Sequence, residues 1–217
     1  MPLAVQTSLL WDVPLPMVGN NLSNPVRFAS LDLERLPLSD GAWVEVRRAW
    51  LRGGFELLDN LLASSEWVSE RRRMYDRVID TPRLLRFYRT GEQVPWDELI
   101  EARTLLSEHY RTELGEEFTS TGMCLYRDGR DSVAWHGDTI GRGAREDTIV
   151  AIVSFGASRT FALRPRGGGP SIRFTLDHGD LIVMGGSCQR TWEHSLPKST
   201  KNVGPRISVQ FRPVGVS

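Results

Sequence analysis

The chain has 217 residues, a quarter of them charged and two-fifths apolar, which suits one globular domain and excludes a disordered or fibrous chain. Its 27 basic and 27 acidic residues cancel, so net charge gives no argument for a polyanionic partner. No apolar run reaches the roughly 20 residues of a membrane span, the segment before Arg27 lacks the basic residues of a secretory signal, and two cysteines are too few for a disulfide framework. We therefore expect a cytoplasmic monomer with no membrane association.

Three regions follow one another along the chain. Scattered prolines and weak periodicity predict an extended arm over residues 1–40. Within residues 41–117, an alternating run predicts a strand over Trp43–Leu51, and leucine spacing predicts helices over Phe55–Ala63 and Trp96–Leu114. We expect this region to support the core and form a substrate lid.

Residues 118–217 contain short runs rich in β-branched and aromatic residues, separated by turn residues. These runs are Gly122–Tyr126, Ser132–His136, Thr148–Phe155, Arg159–Leu163, Ile172–Leu176, Leu181–Met184 and Arg206–Phe211. Their spacing predicts an all-β sandwich or barrel with the helices packed outside it, and we expect the catalytic core of a single structural domain here.

Charge is distributed unevenly along the chain. Residues 71–90 contain seven arginines and two aspartates, whereas residues 97–117 contain seven acids and two arginines. The first segment could attract phosphate groups, although charge runs are more often a solvated surface.

One pattern in the chain suits a metal ion. Two histidines and a carboxylate on one face of iron(II) leave positions open for a chelating cosubstrate and O₂. The matching pattern, His-x-Asp with a distant histidine, is ambiguous because His-Gly-Asp occurs at 136–138 and again at 178–180. The second copy lies between two strand-like runs, where glycine and aspartate suit a turn. The first ends a strand, and His194 lies 56 residues beyond its aspartate, which leaves room to cross the sandwich and return. We therefore predict iron ligands at His136, Asp138 and His194.

A polar row follows the last histidine. Strand periodicity places Arg206, Ser208, Gln210 and Arg212 on one face of the last predicted strand. If this face points inward, the two guanidiniums need anionic partners, and a dicarboxylate that chelates the iron would supply them. The alternative is an edge strand whose arginines lie in water.

At these residues the chain resembles the AlkB-like family of iron(II) and 2-oxoglutarate dioxygenases, particularly its nucleic-acid dealkylating branch. The resemblance runs from about Arg73 to Pro213. Its motifs, in order, are Met74-Tyr75, Pro82-Arg83, Leu125-Tyr126-Arg127-Asp128-Gly129, Trp135-His136-Gly137-Asp138, Val153-Ser154-Phe155-Gly156, Trp192-Glu193-His194-Ser195-Leu196-Pro197-Lys198 and Arg206-Ile207-Ser208-Val209-Gln210-Phe211-Arg212.

The resemblance implies a mainly β, α+β fold around a double-stranded β-helix (jelly roll), with Fe(II), 2-oxoglutarate and O₂ as cofactors. It implies that 2-oxoglutarate becomes succinate and CO₂ while an N-alkyl carbon of a DNA or RNA base is hydroxylated. The alkyl group then leaves as an aldehyde, which is formaldehyde for a methyl group. The residues implied in cosubstrate binding are Arg206, Arg212 and Tyr126, with Ser208 and Cys124 at positions where the family often has asparagine.

The substrate side departs from the family pattern. Ile140 stands where DNA-repair members usually carry an acid, and the segment 89–94 is short where relatives acting on duplex DNA often have a longer hairpin. Arginines interleaved with aromatic residues suit single strands, so we expect alkylated single-stranded nucleic acid as the partner. The candidate substrate-binding residues are Tyr75, Phe87, Tyr88, Arg73, Arg83 and Ile140; packing beneath the basic surface is the alternative for the aromatic ones.

Two other functions remain open at this point. The same iron chemistry could act on a protein or a small molecule, which Ile140 and the short segment 89–94 would suit. The third hypothesis is a non-catalytic binding module on the same fold.

Overall fold

The computed structural model describes residues 25–74 and 77–216, with side chains described except at 64 and 70–80. The helices are α1 (Phe55–Ser64), α2 (Asp97–Leu114) and the short α3 (Cys188–Thr191). The strands are β1 (Arg27–Phe28), β2 (Arg35–Pro37), β3 (Ala42–Arg47), β4 (Leu51–Arg52), β5 (Val68–Met74), β6 (Arg77–Tyr88), β7 (Phe118–Tyr126), β8 (Val133–His136), β9 (Val150–Gly156), β10 (Arg159–Pro165), β11 (Ile172–Leu176), β12 (Leu181–Gly186), β13 (Trp192–Leu196) and β14 (Arg206–Pro213).

The strands form two main antiparallel sheets that face each other, confirming the predicted double-stranded β-helix. The larger sheet has the order β2-β3-β12-β9-β14-β7-β6-β5, and the smaller has the order β11-β10-β13-β8. Arg212 on β14 of the larger sheet contacts Asp138, which follows β8 of the smaller one. The predicted metal ligands therefore lie where the two sheets contact each other.

Helices α1 and α2 cover the outer face of the larger sheet. Apolar side chains at alternate positions of β14 pack in one cluster with leucines of α1 and α2; the β14 members are Ile207, Val209 and Phe211. Because strand side chains alternate, the intervening polar residues of β14 face the smaller sheet. Strand β14 is central, paired with β7 and β9, so the edge-strand alternative for its arginines is wrong.

Two predictions about elements need correction. The predicted strand Trp43–Leu51 is divided by a turn in which Ala49 has φ 47°, and the Asp180 carboxylate holds that turn by accepting a hydrogen bond from the Ala49 N–H. The arginine-rich segment after Val68, for which no element was predicted, forms the β5–β6 hairpin. The half-buried arginines in its second strand hide the apolar alternation that marks strands.

The short segment 89–94 lies outside the β5–β6 hairpin. That segment is a tight turn leading into α2, with the Glu92 N–H donating to the Arg89 carbonyl and Gly91 at φ 86°. The hairpin precedes it in the chain rather than falling within it.

The predicted arm over residues 1–40 lies partly outside the described residues, and its part after residue 25 contributes β1 and β2. Within the described part of the chain, no helix has the length and apolar character needed to cross a membrane.

Candidate metal centre

The side chains of His136, Asp138 and His194 converge beside the contact between the two sheets. Strands β8 and β13 pair with His194 directly opposite His136, and Asp138 follows two residues after β8. One ligand atom from each of the three lies within 4.8 Å of the others. Two imidazoles and a carboxylate gathered in this way form the donor set of a 2-His-1-carboxylate iron site.

Both imidazoles are prepared to act as neutral ligands. Burial lowers the pKa of His194 to about 3, and burial likewise lowers the pKa of His136 below its ordinary value. The His136 Nδ1–H donates to the Ala134 carbonyl at 2.8 Å, which fixes the tautomer and leaves Nε2 with its lone pair. The His194 ring stacks on Phe161 with 5.5 Å between centroids. These contacts orient both rings toward the same point.

Two hydrogen bonds hold Asp138 in place. Its Oδ2 accepts a 2.7 Å hydrogen bond from Arg212 Nε, and its backbone N–H donates to Gln189 Oε1 at 2.9 Å. Burial acts to raise the pKa of Asp138, but the positive charge of Arg212 and its hydrogen bond outweigh burial and hold that pKa below its ordinary value. At Gly137, a Cβ would lie 2.3 Å from the Gln189 carbonyl oxygen, so the middle residue of the motif must be glycine. Gln189 on α3 is a supporting residue that the sequence did not reveal.

The second His-Gly-Asp copy is structural, as predicted. The His178 ring bridges backbone groups, with Nε2 donating to the Gly53 carbonyl and Nδ1 accepting from the Gly156 N–H. Asp180 accepts hydrogen bonds from Arg48 Nη1 and from the backbone of the turn that precedes β4. Both side chains are fully occupied in joining the chain around β4 to the sheet.

Arg206 is the most unusual charge in the interior. Its side chain is fully buried, with Nη2 donating to Ser154 Oγ at 2.6 Å and Nη1 donating to Ser208 Oγ. Its Nε has no partner among the described residues, and no carboxylate contacts the guanidinium. Burial lowers the pKa of Arg206 to about 10. A buried guanidinium bound only by hydroxyl groups is suited to receive an anion.

A second buried guanidinium lies across the ring of Tyr126. Arg206 and Arg159 approach this ring with 5.7 and 5.9 Å to its centroid. Arg159 donates to three backbone carbonyls, those of Asp128, Asp131 and Pro197, and so ties the loop after β7 to the loop after β13. Sequence reasoning missed Arg159 because nothing in a strand-initial arginine signals burial.

The other predicted cosubstrate residues lie on the same interior face. Ser208 pairs with Cys124 across β14 and β7, and Cys124 Sγ lies 4.0 Å from Gln210 Oε1. Arg212 uses its Nε on Asp138, while its two Nη atoms make no hydrogen bond within the described part of the protein. The predicted row is therefore assembled, with Arg212 reaching the metal ligands and Arg206 lying deeper.

The predicted substrate-binding residues divide between the two faces of β6. Phe87 lies beside Gly122 and is 37% exposed on the metal side of the sheet, and Arg83 shares its side of the strand. Tyr88 points the other way, buried in the helix-covered core with its ring edge-on to Trp96, so its assignment to substrate stacking is wrong. Ile140 is 69% exposed on the loop after Asp138. Tyr75 and the side chain of Arg73 lie outside the described residues.

The fold and the donor set together define a β-helix oxygenase centre. A family model described as "2OG-Fe(II) oxygenase superfamily" matches residues 62–212. The chain belongs to this superfamily. Membership implies Fe(II) and 2-oxoglutarate as the bound groups and O₂ as the oxidant.

Named relatives confirm the AlkB-like resemblance. The chain is 31% identical over 180 residues to human "Alpha-ketoglutarate-dependent dioxygenase alkB homolog 3", covering 73% of this chain and 60% of that protein. It is 33% identical over 128 residues to human "DNA oxidative demethylase ALKBH2", covering 55% and 48%. The chain thus spans less than two thirds of the length of these relatives.

Solved structures agree on the fold. The structure titled "The structure of OsALKBH1" superposes with a TM-score of 0.54 at 14% identity, covering 82% of this chain and 100% of that chain. A 2OG-Fe(II) oxygenase family oxidoreductase from Burkholderia pseudomallei gives 0.55 at 13% identity, covering 79% and 84%. At these identities the likeness supports the fold alone.

The residues present fit the implied groups. The neutral imidazoles and the ionised carboxylate match the oxygen and nitrogen donors that iron(II) accepts. The unpartnered Nε of the buried Arg206 supplies a positive charge for a carboxylate on the same interior face. Both halves of the centre are therefore present in this chain.

Proposed function

We propose that the protein is an Fe(II)- and 2-oxoglutarate-dependent dioxygenase that removes alkyl groups from nucleic acid bases. One observation carries this proposal. Arg212 contacts the His-Asp-His cluster, and on the same face of β14 lies the buried guanidinium of Arg206, which no carboxylate among the described residues contacts. The names of the AlkB relatives support nucleic acid as the substrate.

Each residue of the centre has a distinct part in this proposal. His136, Asp138 and His194 would hold iron, which when bound supplies the oxidising chemistry toward an N-alkyl carbon. Arg206 would bind the distal carboxylate of 2-oxoglutarate, with Ser154 and Ser208 holding the guanidinium in place. These contacts orient the cosubstrate, since a fixed guanidinium and a fixed metal define both of its ends.

Arg212 and the walls of the centre complete the arrangement. Arg212 Nε keeps Asp138 ionised and oriented by donating to Oδ2. Tyr126 and Cys124 would form the wall of the cosubstrate pocket, and the buried apolar residues of β9, β12 and β13 keep water from the side away from the opening. Excluding water protects the oxidising step from side reactions.

We also propose a single-stranded substrate and a monomeric enzyme. The exposed ring of Phe87 and the guanidinium of Arg83 lie on the same side of β6 as the metal ligands, which suits a base that is already free of a duplex. The cytoplasmic location stays a prediction from the sequence.

A panel of methylated oligonucleotides tests the proposal. The purified protein is incubated with Fe(II), 2-oxoglutarate and air, together with the oligonucleotides as single strands or as duplexes. The mass of each oligonucleotide is then measured by mass spectrometry. We expect methylated single strands to lose their methyl groups, and His136→Ala to abolish the loss. His109→Ala, which removes an exposed histidine on α2, is the matched control and should retain activity.

Two outcomes would contradict the proposal in different ways. Succinate production that no methylated oligonucleotide stimulates would favour a protein or small-molecule substrate. A protein that binds neither a divalent metal nor 2-oxoglutarate would favour a non-catalytic binding module.

A further inference from the structure

Strand β8, which carries the ligand His136, lies at an edge of the smaller sheet and pairs there with β13. The register between these two strands is interrupted. His136 lies opposite His194, whereas Val133 lies opposite Leu196. Three steps along β8 therefore match two steps along β13, so β8 contains one extra residue. This count is that of a β-bulge.

The bulge contains Ala134 and Trp135, and it sets the direction of the His136 ring. A bulge takes backbone groups out of the regular ladder and changes the direction of the side chains beside it. Here the Ala134 carbonyl accepts the 2.8 Å hydrogen bond from the His136 Nδ1–H. That bond selects the tautomer that leaves Nε2 free for a metal. The position of the Ala134 carbonyl therefore determines where the His136 ring points.

The guanidinium of Arg164 on β10 contacts the bulge through Trp135. Its Cζ lies over the Trp135 ring, 4.2 Å from the ring centroid. Its Nε and Nη2 both donate to Glu193 Oε2, at 3.1 and 3.0 Å. A guanidinium makes both contacts at once because its donors lie in its plane and its face remains free for a ring.

The two partners of Arg164 are the residues immediately before the two histidine ligands. Trp135 precedes His136, and Glu193 precedes His194. Arg164 lies directly opposite Glu193 in the pairing of β10 with β13. Because side chains alternate along a strand, Arg164 and Glu193 lie on the face opposite to the His194 ring. One arginine thus joins, from behind the metal centre, the two strands that carry the imidazoles.

These contacts are more confined than those of an exposed ion pair. Arg164 is 29% exposed, Glu193 is 17% exposed, and Trp135 is half-buried. Water screens such a cluster less than it screens a fully exposed pair, so the cluster holds its geometry better. The rings of His136 and His194 lie only 4.2 Å apart between centroids, so a shift of the bulge would change the angle between the two ligands.

We propose that Arg164 is a positioning residue for the metal centre, which holds the β8 bulge through Trp135 and Glu193 so that His136 faces the metal. This inference rests on the iron site of the proposed function and adds to that site a residue on the outer face of the sheet. Contacts that orient a metal-bound histidine typically account for about 10–100-fold in metal affinity. Arg164 acts through one further residue, so the lower end of this range is expected.

Cobalt(II) binding to the folded, metal-free protein tests the proposal. Cobalt(II) accepts the same nitrogen and oxygen donors as iron(II), and its visible absorption bands report the number and arrangement of its ligands. We expect Arg164→Met to raise the Kd for cobalt(II) about tenfold and to shift these bands. Because a partly exposed ion pair contributes little to stability, the urea midpoint should change by about 0.5 M or less.

Arg173→Met is the matched control. Arg173 is an exposed arginine on β11, the neighbouring strand of the same sheet, and its Nε donates to Ser171 Oγ at 3.4 Å. This variant removes the same type of side chain without touching the bulge. It should bind cobalt(II) with wild-type affinity and give the wild-type absorption spectrum.

Substitutions of Trp135 show whether Arg164 acts through the bulge. Trp135→Ala should weaken cobalt(II) binding as much as Arg164→Met does. Trp135→Phe keeps a ring for the guanidinium and should bind within about threefold of the wild type. The double variant Trp135→Ala/Arg164→Met should bind no more weakly than either single variant, because both substitutions break the same contact.

The outcomes separate this inference from the proposed function. Wild-type affinity and an unchanged spectrum in Arg164→Met and Trp135→Ala would overturn the inference and leave the function standing. Weaker binding that accompanies a large loss of stability, with an unchanged spectrum, would give Arg164 a structural role and also overturn the inference. A wild-type protein that binds no cobalt(II) would overturn the iron site itself, and the inference with it.

Discussion

Replacing Arg206 with glutamine separates cosubstrate binding from stability. The guanidinium is fully buried and its partners in the protein are two serine hydroxyls, with Nε unpartnered. Charge-assisted hydrogen bonds contribute about 1.5–3 kcal/mol each, so losing two of them at the lower value costs about 3 kcal/mol of 2-oxoglutarate binding. That energy corresponds to a loss of affinity of about 150-fold.

The same substitution is expected to change the stability of the metal-free protein little. In the absence of an anion, Arg206 is a buried charge without a counter-charge, and removing such a charge lowers the cost of folding. The serine hydroxyls can rotate toward the new amide, so we expect the free energy of unfolding to fall by no more than about 1 kcal/mol and to rise if desolvation dominates.

Arg159→Gln is the matched control because it removes the other guanidinium beside Tyr126. Arg159 donates to three backbone carbonyls, and among the described contacts only that of Asp128 has another donor, the Asp131 N–H, so its loss is expected to cost about 3 kcal/mol of unfolding free energy. Calorimetric titration of 2-oxoglutarate into Mn(II)-loaded protein and urea unfolding of metal-free protein measure the two quantities. The reasoning would be refuted if Arg206→Gln lost as much unfolding free energy as Arg159→Gln and still bound 2-oxoglutarate with wild-type affinity.

Alkylation of the two cysteines and two further substitutions test the placement of individual side chains. Burial raises the pKa of the Cys188 thiol to about 12, so iodoacetamide at pH 8 should leave this thiol unmodified. The partly exposed Cys124 should react, and 2-oxoglutarate with Mn(II) should protect it. Peptide mass mapping measures the modification of both cysteines. Phe87→Ala should weaken binding of single-stranded oligonucleotides by about 1–3 kcal/mol without lowering the melting temperature. Tyr88→Ala should lower stability by about 3 kcal/mol instead, and a strong loss of oligonucleotide binding in folded Tyr88→Ala would contradict its burial.

Strand periodicity made the interior row predictable. Arg206, Ser208 and Arg212 alternate with apolar residues, and a period of two assigns them to one face whatever the surrounding topology. Local context was also sufficient to separate the two His-Gly-Asp copies, because a turn between strands leaves a recognisable pattern on both sides.

Other features depend on contacts that a sequence does not display. Phe87 and Tyr88 both suited stacking, and only the register of β6 against β7 shows that they face opposite sides. Gln189 reaches the Asp138 backbone across 51 residues, and Arg159 is buried by carbonyls from two distant loops. Such partners become neighbours only when the sheets close on each other.

The most direct test of the central claim is to measure succinate and formaldehyde together during turnover of a methylated single-stranded oligonucleotide. If iron at His136, Asp138 and His194 couples 2-oxoglutarate to base demethylation, the two products form in equal amounts and succinate formation depends on the methylated base. Equal rates of succinate formation with and without that base, and no formaldehyde, would contradict the account.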